Sequence, residues 1–167
     1  MNYWVTADYH FNHTNIIKYC NRPFKNVDEM NETIIKRHNE LVSTDDVVYF
    51  VGDFCFHSLP GEWIRRLNGT FVFILGNHDG SIRSKIESMD IRYRNQLIHL
   101  THEPMNARCE CINFVGHVHE KWTFKNNQIN TILINIGVDV WDFKPVKISQ
   151  ALDNYKIWEK FGDRHTI

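Results

Sequence analysis

Asp46-Val47-Val48-Tyr49-Phe50-Val51-Gly52-Asp53 and Thr70-Phe71-Val72-Phe73-Ile74-Leu75-Gly76-Asn77 share one design. Each is a β-branched and aromatic run too short for a helix, stopped by a glycine and followed at once by a polar side chain able to hold a metal. Both predict a buried strand that hands its last residues to a sheet edge. Upstream, Tyr3-Trp4-Val5-Thr6-Ala7 reads the same way and delivers Asp8. Asn26 is placed to cap a helix over Val27 to Val42, where Val27, Met30, Ile34, Leu41 and Val42 fall near helical spacing. Pro60 to Asn68 and Ser81 to Met89 read as two shorter helices. Strand and helix thus alternate through the first half, which implies a mainly parallel α/β arrangement.

Downstream the helical signal thins. Gln96 to Leu100, Cys111 to Val115, Trp122 to Phe124 and Thr131 to Ile136 read as strands, with a hairpin turn at Asn126-Asn127 between the last two. Helical spacing returns at Ser149 to Lys160 through Leu152, Tyr155 and Trp158. Nothing in the chain reads as a repeat, a low-complexity stretch or a linker, and 167 residues with 43% hydrophobic side chains fit one domain over 1–167.

A net charge of −1 supplies no broad basic field, so an extensive nucleic-acid surface is not expected and any anion must be gripped locally. No apolar run approaches the ~20 residues of a membrane span, and Met1 leads into no basic segment with a long apolar core behind it. Cys20, Cys55, Cys109 and Cys111 contain no CxxC pair, and Cys109-x-Cys111 is too closely spaced for an easy disulfide. Reduced thiols and a cytoplasmic location are the expectation.

The chemistry lies in five clusters: Asp8-Tyr9-His10, Gly52-Asp53, Gly76-Asn77-His78-Asp79, Thr101-His102 and Gly116-His117-Val118-His119. Residues two apart, as in Asp8/His10 and His117/His119, share an ion only if the chain stays extended there or turns around it. Either pair alone is a weak signal; the five together are not. Carboxylate, imidazole and amide donors suit Mn, Fe, Zn or Ni rather than Mg or Ca, and the absence of thiolates from the set disfavours a structural zinc site. Asp53 is the natural bridge between two cations, since one carboxylate can lend an oxygen to each. Two divalent ions against Asp8 and Asp53 leave a charge of roughly +2, which calls for an anion.

This series, D-x-H, G-D, G-N-H-D, H and G-H-x-H in order from Asp8 to His119, resembles that of the calcineurin-like metallophosphoesterases. The resemblance implies a four-layer α-β-β-α sandwich of two mixed sheets flanked by helices, and a site with two divalent metal ions. It implies that Asp8, His10 and His119 hold the first metal, that Asn77, His102 and His117 hold the second, and that Asp53 bridges them. His78 is then the catalytic histidine that is not a ligand, with Asp79 expected to orient its second nitrogen. By the same resemblance the two cations would activate water for in-line attack on phosphorus and neutralise the phosphoryl oxygens, and His78 would assist the leaving oxygen.

Departures narrow the substrate. Protein phosphatases of this superfamily follow G-D with V-D-R-G, whereas Gly52-Asp53 runs into Phe54-Cys55-Phe56-His57. The chain also lacks room for the caps of larger nucleases, and Asp8 to Phe24 looks like the small stand-alone bacterial, archaeal or phage type. A nucleotide-type or other small phosphodiester, cyclic or linear, is the expected substrate, with a small phosphomonoester as the alternative and a non-catalytic scaffold or metal store as rivals of another class. A scaffold would be expected to lose a ligand or His78, and none is missing.

Arg22, His13 and His57 are candidates for touching substrate. A surface ion pair for Arg22 and loop hydrogen bonds for the histidines are the plainer alternatives. His38, His99 and His165 have no cluster beside them and read as structural or solvated, while Trp141 and Phe143 read as core in preference to a ring pocket.

Overall fold

The structure, a computed structural model, describes residues 1–126 and 130–162. The two strands with which the sequence reading begins are β2 (Val47–Val51) and β3 (Thr70–Ile74), and both pair in parallel with the sheet grown from β1 (Tyr3–Thr6). A two-residue strand, β9 (Val146–Lys147), adds antiparallel to β1, so the first sheet runs β3-β2-β1-β9. The second sheet has the order β4-β5-β6-β8-β7, from β4 (Ser88–Tyr93), β5 (Gln96–Thr101), β6 (Ile112–Val115), β7 (Phe124–Asn126) and β8 (Ile132–Asn135). Its inner pairs β5/β6 and β6/β8 are parallel and its outer pairs antiparallel. The result is an α/β fold of two mixed sheets flanked by helices.

Side-chain alternation explains the layering. Val5, Ala7, Val51 and Ile74 meet Ile98, Leu100, Phe114 and Ile134 in one cluster, so one face of the first sheet packs on the second. The opposite face presents Phe50, with Phe71 and Phe73, to Met30, Ile34 and Ile35 of α2 (Val27–Leu41). Asn26 begins α2 by accepting the Glu29 N–H at 2.8 Å, and Asp28 and Glu29 lie in the first turn, where the helix dipole favours negative charge. The C-terminal helix α4 (Ile148–Phe161) buries Ile148, Ala151, Leu152 and Tyr155 in the inter-sheet cluster and contacts β1 and β9. The remaining helices are short: α1 (Ile16–Tyr19) and α3 (Pro60–Ile64).

The helix expected over Ser81 to Met89 does not form. Ile82, Ile86 and Met89 imitate helical spacing, but Met89, Ile91 and Tyr93 alternate with Asp90 and Arg92, and all of Ser88–Tyr93 pairs with Gln96–Thr101. Arg94 and Asn95 close that hairpin with φ of 46° and 64°, the two left-handed residues of a type I′ turn, whose twist matches the strands. The hairpin turn expected at Asn126-Asn127 falls at the edge of, and partly outside, the described residues, although β7 and β8 pair antiparallel as that turn requires.

On the inner face of α2, His38 is fully buried, with Nδ1 2.7 Å from the Tyr9 hydroxyl and Nε2 2.8 Å from the Asn68 carbonyl. The carbonyl only accepts, so Nε2 carries the proton and Nδ1 accepts from Tyr9. Burial, opposed only by the Asn68 hydrogen bond, lowers the imidazole to about 4. The unfolded chain binds a proton near pH 6.5 and the folded chain does not. This contribution is therefore complete above pH 6.5 and lost as pH falls toward 4, by about 3 kcal/mol. Urea titrations of wild type and His38→Gln across that range test it: wild type should lose stability more steeply, and parallel curves would refute the assignment.

Candidate metal centre

Parallel pairing brings the C-terminal ends of β1, β2 and β3 to one sheet edge, and those of β5, β6 and β8 to one edge of the second sheet. Every cluster read from the sequence leaves one of these ends. The two sets of loops are stitched together: Ala7 bridges to Gly137, Val138 N–H donates to Ala7 O at 3.2 Å, and His117 N–H donates to the Asp8 carboxylate at 3.1 Å. Of the two ways in which D-x-H and H-x-H could converge on an ion, the chain turns around it. Asp8, His10, Asp53, His117 and His119 all have positive φ, between 48° and 70°. Non-glycine residues held there cost about 1–3 kcal/mol each and cluster at functional sites.

Two groups of side chains converge. The ligand atoms of Asp8, His10 and His119 lie within 4.8 Å of one another, as do those of Asp53, His102 and His117. Asp53 Oδ2 stands between the groups, 3.4 Å from His10 Nε2 and 3.3 Å from His102 Nε2. Asn77 Oδ1 joins the second group at 3.2 Å from His102 Nε2 and 3.1 Å from His117 Nδ1.

These donors fit divalent cations. His10 Nε2 is buried without a hydrogen-bond partner, a cost that a cation at that nitrogen removes. His102 Nδ1 is 2.9 Å from the Val51 carbonyl, which can only accept, so Nδ1 keeps its proton and a cation that displaces the proton on Nε2 would meet that lone pair facing the group. Close packing dictates the glycines. Gly52 has φ of 87°, and a side-chain carbon there would overlap the His102 ring; one at Gly76 would overlap the Asp53 carboxylate.

The electrostatics are those of a site that wants positive charge. Burial raises Asp8 to about 6 against the pull of His102 and His119. Burial alone would raise Asp53 as well, but its hydrogen bond to His102 and the charges of His102 and His10 hold it well below the usual carboxylate range. Burial lowers His102 and His119, yet the bond to Asp53 and the nearby carboxylates lift His102 to about 9, and Asp139 first among several partners lifts His119 to about 10. Protons occupy these imidazoles in the metal-free chain, so cation binding competes with them and strengthens as pH rises.

Other expected site residues lie as follows. His78 is exposed at the mouth, its ring 5.6 Å from His10 and 6.1 Å from His13, with its backbone N–H donating to Asp53 Oδ1 at 2.9 Å. His13 is buried against His10, Nδ1 to Nδ1 at 3.3 Å, and stacks on Phe56 at 4.2 Å. His57 is exposed on the wall of a neighbouring cavity.

Two expectations are corrected. Asp79 does not orient His78: its carboxylate accepts the N–H groups of Asp53, Phe54 and Gly76 at 2.7–2.9 Å and staples the β2 and β3 loops together. Arg22 is not free for substrate. Its guanidinium is buried, paired with Asp139 and bonded to the carbonyls of Asp8 and Tyr9. Asp139, 3.0 Å from His119 Nδ1, had gone unread. The signal was there: Asn135-Ile136-Gly137-Val138-Asp139 is another strand end with a glycine and a carboxylate.

Phe143 is core, packed edge-on to Phe24, whereas Trp141 is half-buried: it packs against the inter-sheet cluster, donates to Asn135 O at 2.8 Å and lines two surface cavities. His99 pairs with Asp90 on the second sheet, and His165 lies outside the described residues. Among the described residues no helix is long and apolar enough to cross a membrane.

Two mixed sheets with carboxylate, imidazole and amide donors gathered at their strand ends define a class, the metal-dependent phosphoesterases. The family model for calcineurin-like phosphoesterases matches residues 1–165, and the chain belongs to that family. Divalent metal ions and a phosphoester substrate follow from membership. An uncharacterized protein of Methanocaldococcus jannaschii is 38% identical over 154 residues, which cover 87% of this chain and 86% of that one. Among solved structures, a protein of unknown function from Aquifex aeolicus matches with a TM-score of 0.71 at 23% identity, over 91% of this chain and 97% of the other. A single mutant of Vps29 from Entamoeba histolytica matches at 0.50 and 19%, over 81% and 73%. Both likenesses are of fold.

Proposed function

We propose that the chain is a dinuclear phosphodiesterase acting on nucleotide-type or other small diesters. Asp8, His10 and His119 hold one cation, Asn77, His102 and His117 hold the other, and Asp53 serves both. When bound, the cations neutralise phosphoryl charge and bring the pKa of water toward neutrality. His78, at the mouth, carries a proton toward the leaving oxygen. The free cysteines are compatible with the cytoplasm.

The observation that carries the diester is a pair of cavities sharing Phe56 and His78. One, of about 540 Å³, is bounded by His10, His13, Tyr19 and Lys121; the other, of about 430 Å³, by His57, Leu59 and Ser81. Phosphorus held beside His78 then has a basin for each of two substituents, whereas a monoester fills one. His13 and His57 remain substrate candidates on these walls. Exposed Tyr19 offers an aromatic face to a base or ring.

Metal-stripped protein resupplied with manganese should cleave bis(4-nitrophenyl) phosphate with a kcat/KM at least about tenfold above that for 4-nitrophenyl phosphate, a difference of about 1.4 kcal/mol in transition-state binding. A preference for the monoester would move the function to phosphatase.

A further inference from the structure

Arg22 and Asp139 lie 117 positions apart in sequence and meet in the protein interior, with side chains 0% and 2% exposed. A buried ion pair is poor evidence of stabilisation, because its desolvation offsets its attraction. Its placement calls for another reason. Arg22 Nε donates to Asp139 Oδ1 at 2.8 Å and Nη2 to Oδ2 at 2.9 Å. The other donors reach Asp8 O at 2.7 Å, Tyr9 O at 3.1 Å and Met30 Sδ at 3.3 Å, so all five N–H groups are used. Asp139 Oδ2 also lies 3.0 Å from His119 Nδ1. One rigid unit thus grips the backbone of Asp8, at its positive φ, and the ring of His119.

We infer that the Arg22–Asp139 pair is a positioning device for the first-cation site, fixing His119 with Nδ1 protonated and Nε2 presented, and holding Asp8 in register beside it. The inference rests on the dinuclear reading above. A carboxylate can only accept, so it dictates the tautomer. An asparagine could present its amide NH₂ instead and leave the ring unspecified. Neither Arg22 nor Asp139 hydrogen-bonds His102, His117, Asn77 or the shared Asp53, and the link to the second site is indirect, through the His117 backbone N–H on the Asp8 carboxylate at 3.1 Å, so the larger effect falls on the first site.

Zinc titration of the full chain against a chromophoric chelator reads both sites without reference to turnover. Asp139→Asn should weaken one of the two zinc ions by about 10–100-fold and change the other by less than about threefold. Because this variant leaves a buried guanidinium facing no charge, the double variant R22M/D139L, which removes both charges, keeps the test intact if the single one misfolds. It should show the same selective loss. Unchanged binding of both ions in either folded variant, or equal weakening of both with a lower melting temperature of the metal-free protein, would overturn the inference. Wild type that binds a single zinc would overturn the dinuclear reading and this inference with it.

Discussion

Asp53→Asn should empty both cation sites together and lower turnover by about a thousandfold or more. Asp53 Oδ2 is within 3.4 Å of a histidine nitrogen from each group, the only carboxylate oxygen so placed among the described residues. An asparagine removes the negative charge and offers one acceptor oxygen where the carboxylate offers two. The backbone is held independently, because Asp79 accepts the Asp53 and Phe54 N–H groups. Loss of metal would thus report the side chain and not collapse of its loop. Elemental analysis of desalted protein beside kcat is the check, and a variant that kept two ions per chain would remove Asp53 from the bridging role.

His78→Ala should act in the opposite way, lowering kcat by about 10²–10⁴-fold while metal content stays near that of wild type. The ring stands at the mouth, where the two cavities meet, and the one hydrogen bond that ties His78 to the cation ligands comes from its backbone N–H. Alanine keeps that N–H. A rate within about threefold of wild type would end the catalytic assignment; a parallel loss of metal would recast His78 as a support for Asp53.

Much of this was legible in the chain, and the gaps have physical causes. Val47–Val51 and Thr70–Ile74 read cleanly because each is an unbroken run of β-branched and aromatic residues, although Thr70–Ile74 is an edge strand and only half-buried, and the polar residue after the glycine must emerge at the sheet edge. Strand β4 was missed because Ile82, Ile86 and Met89 fit a helix as well as Met89, Ile91 and Tyr93 fit a strand, and only pairing with β5 decides between them. Strand β9 is two residues long and exists because β1 offers it an edge.

Asp79 was misjudged through adjacency: next to His78 in the chain, its carboxylate turns inward to three backbone N–H groups. Arg22 was misjudged for the converse reason. A cation near a ligand cluster looks like an anion grip until the fold delivers a carboxylate from 117 positions away.

Two cations acting together is the claim on which the rest depends, and it is tested most directly by following diester turnover as manganese is added stepwise to metal-free protein. Activity should stay low up to one ion per chain and rise to its plateau as the second binds. Full activity at one equivalent, or none at any loading that fills both sites, would contradict it.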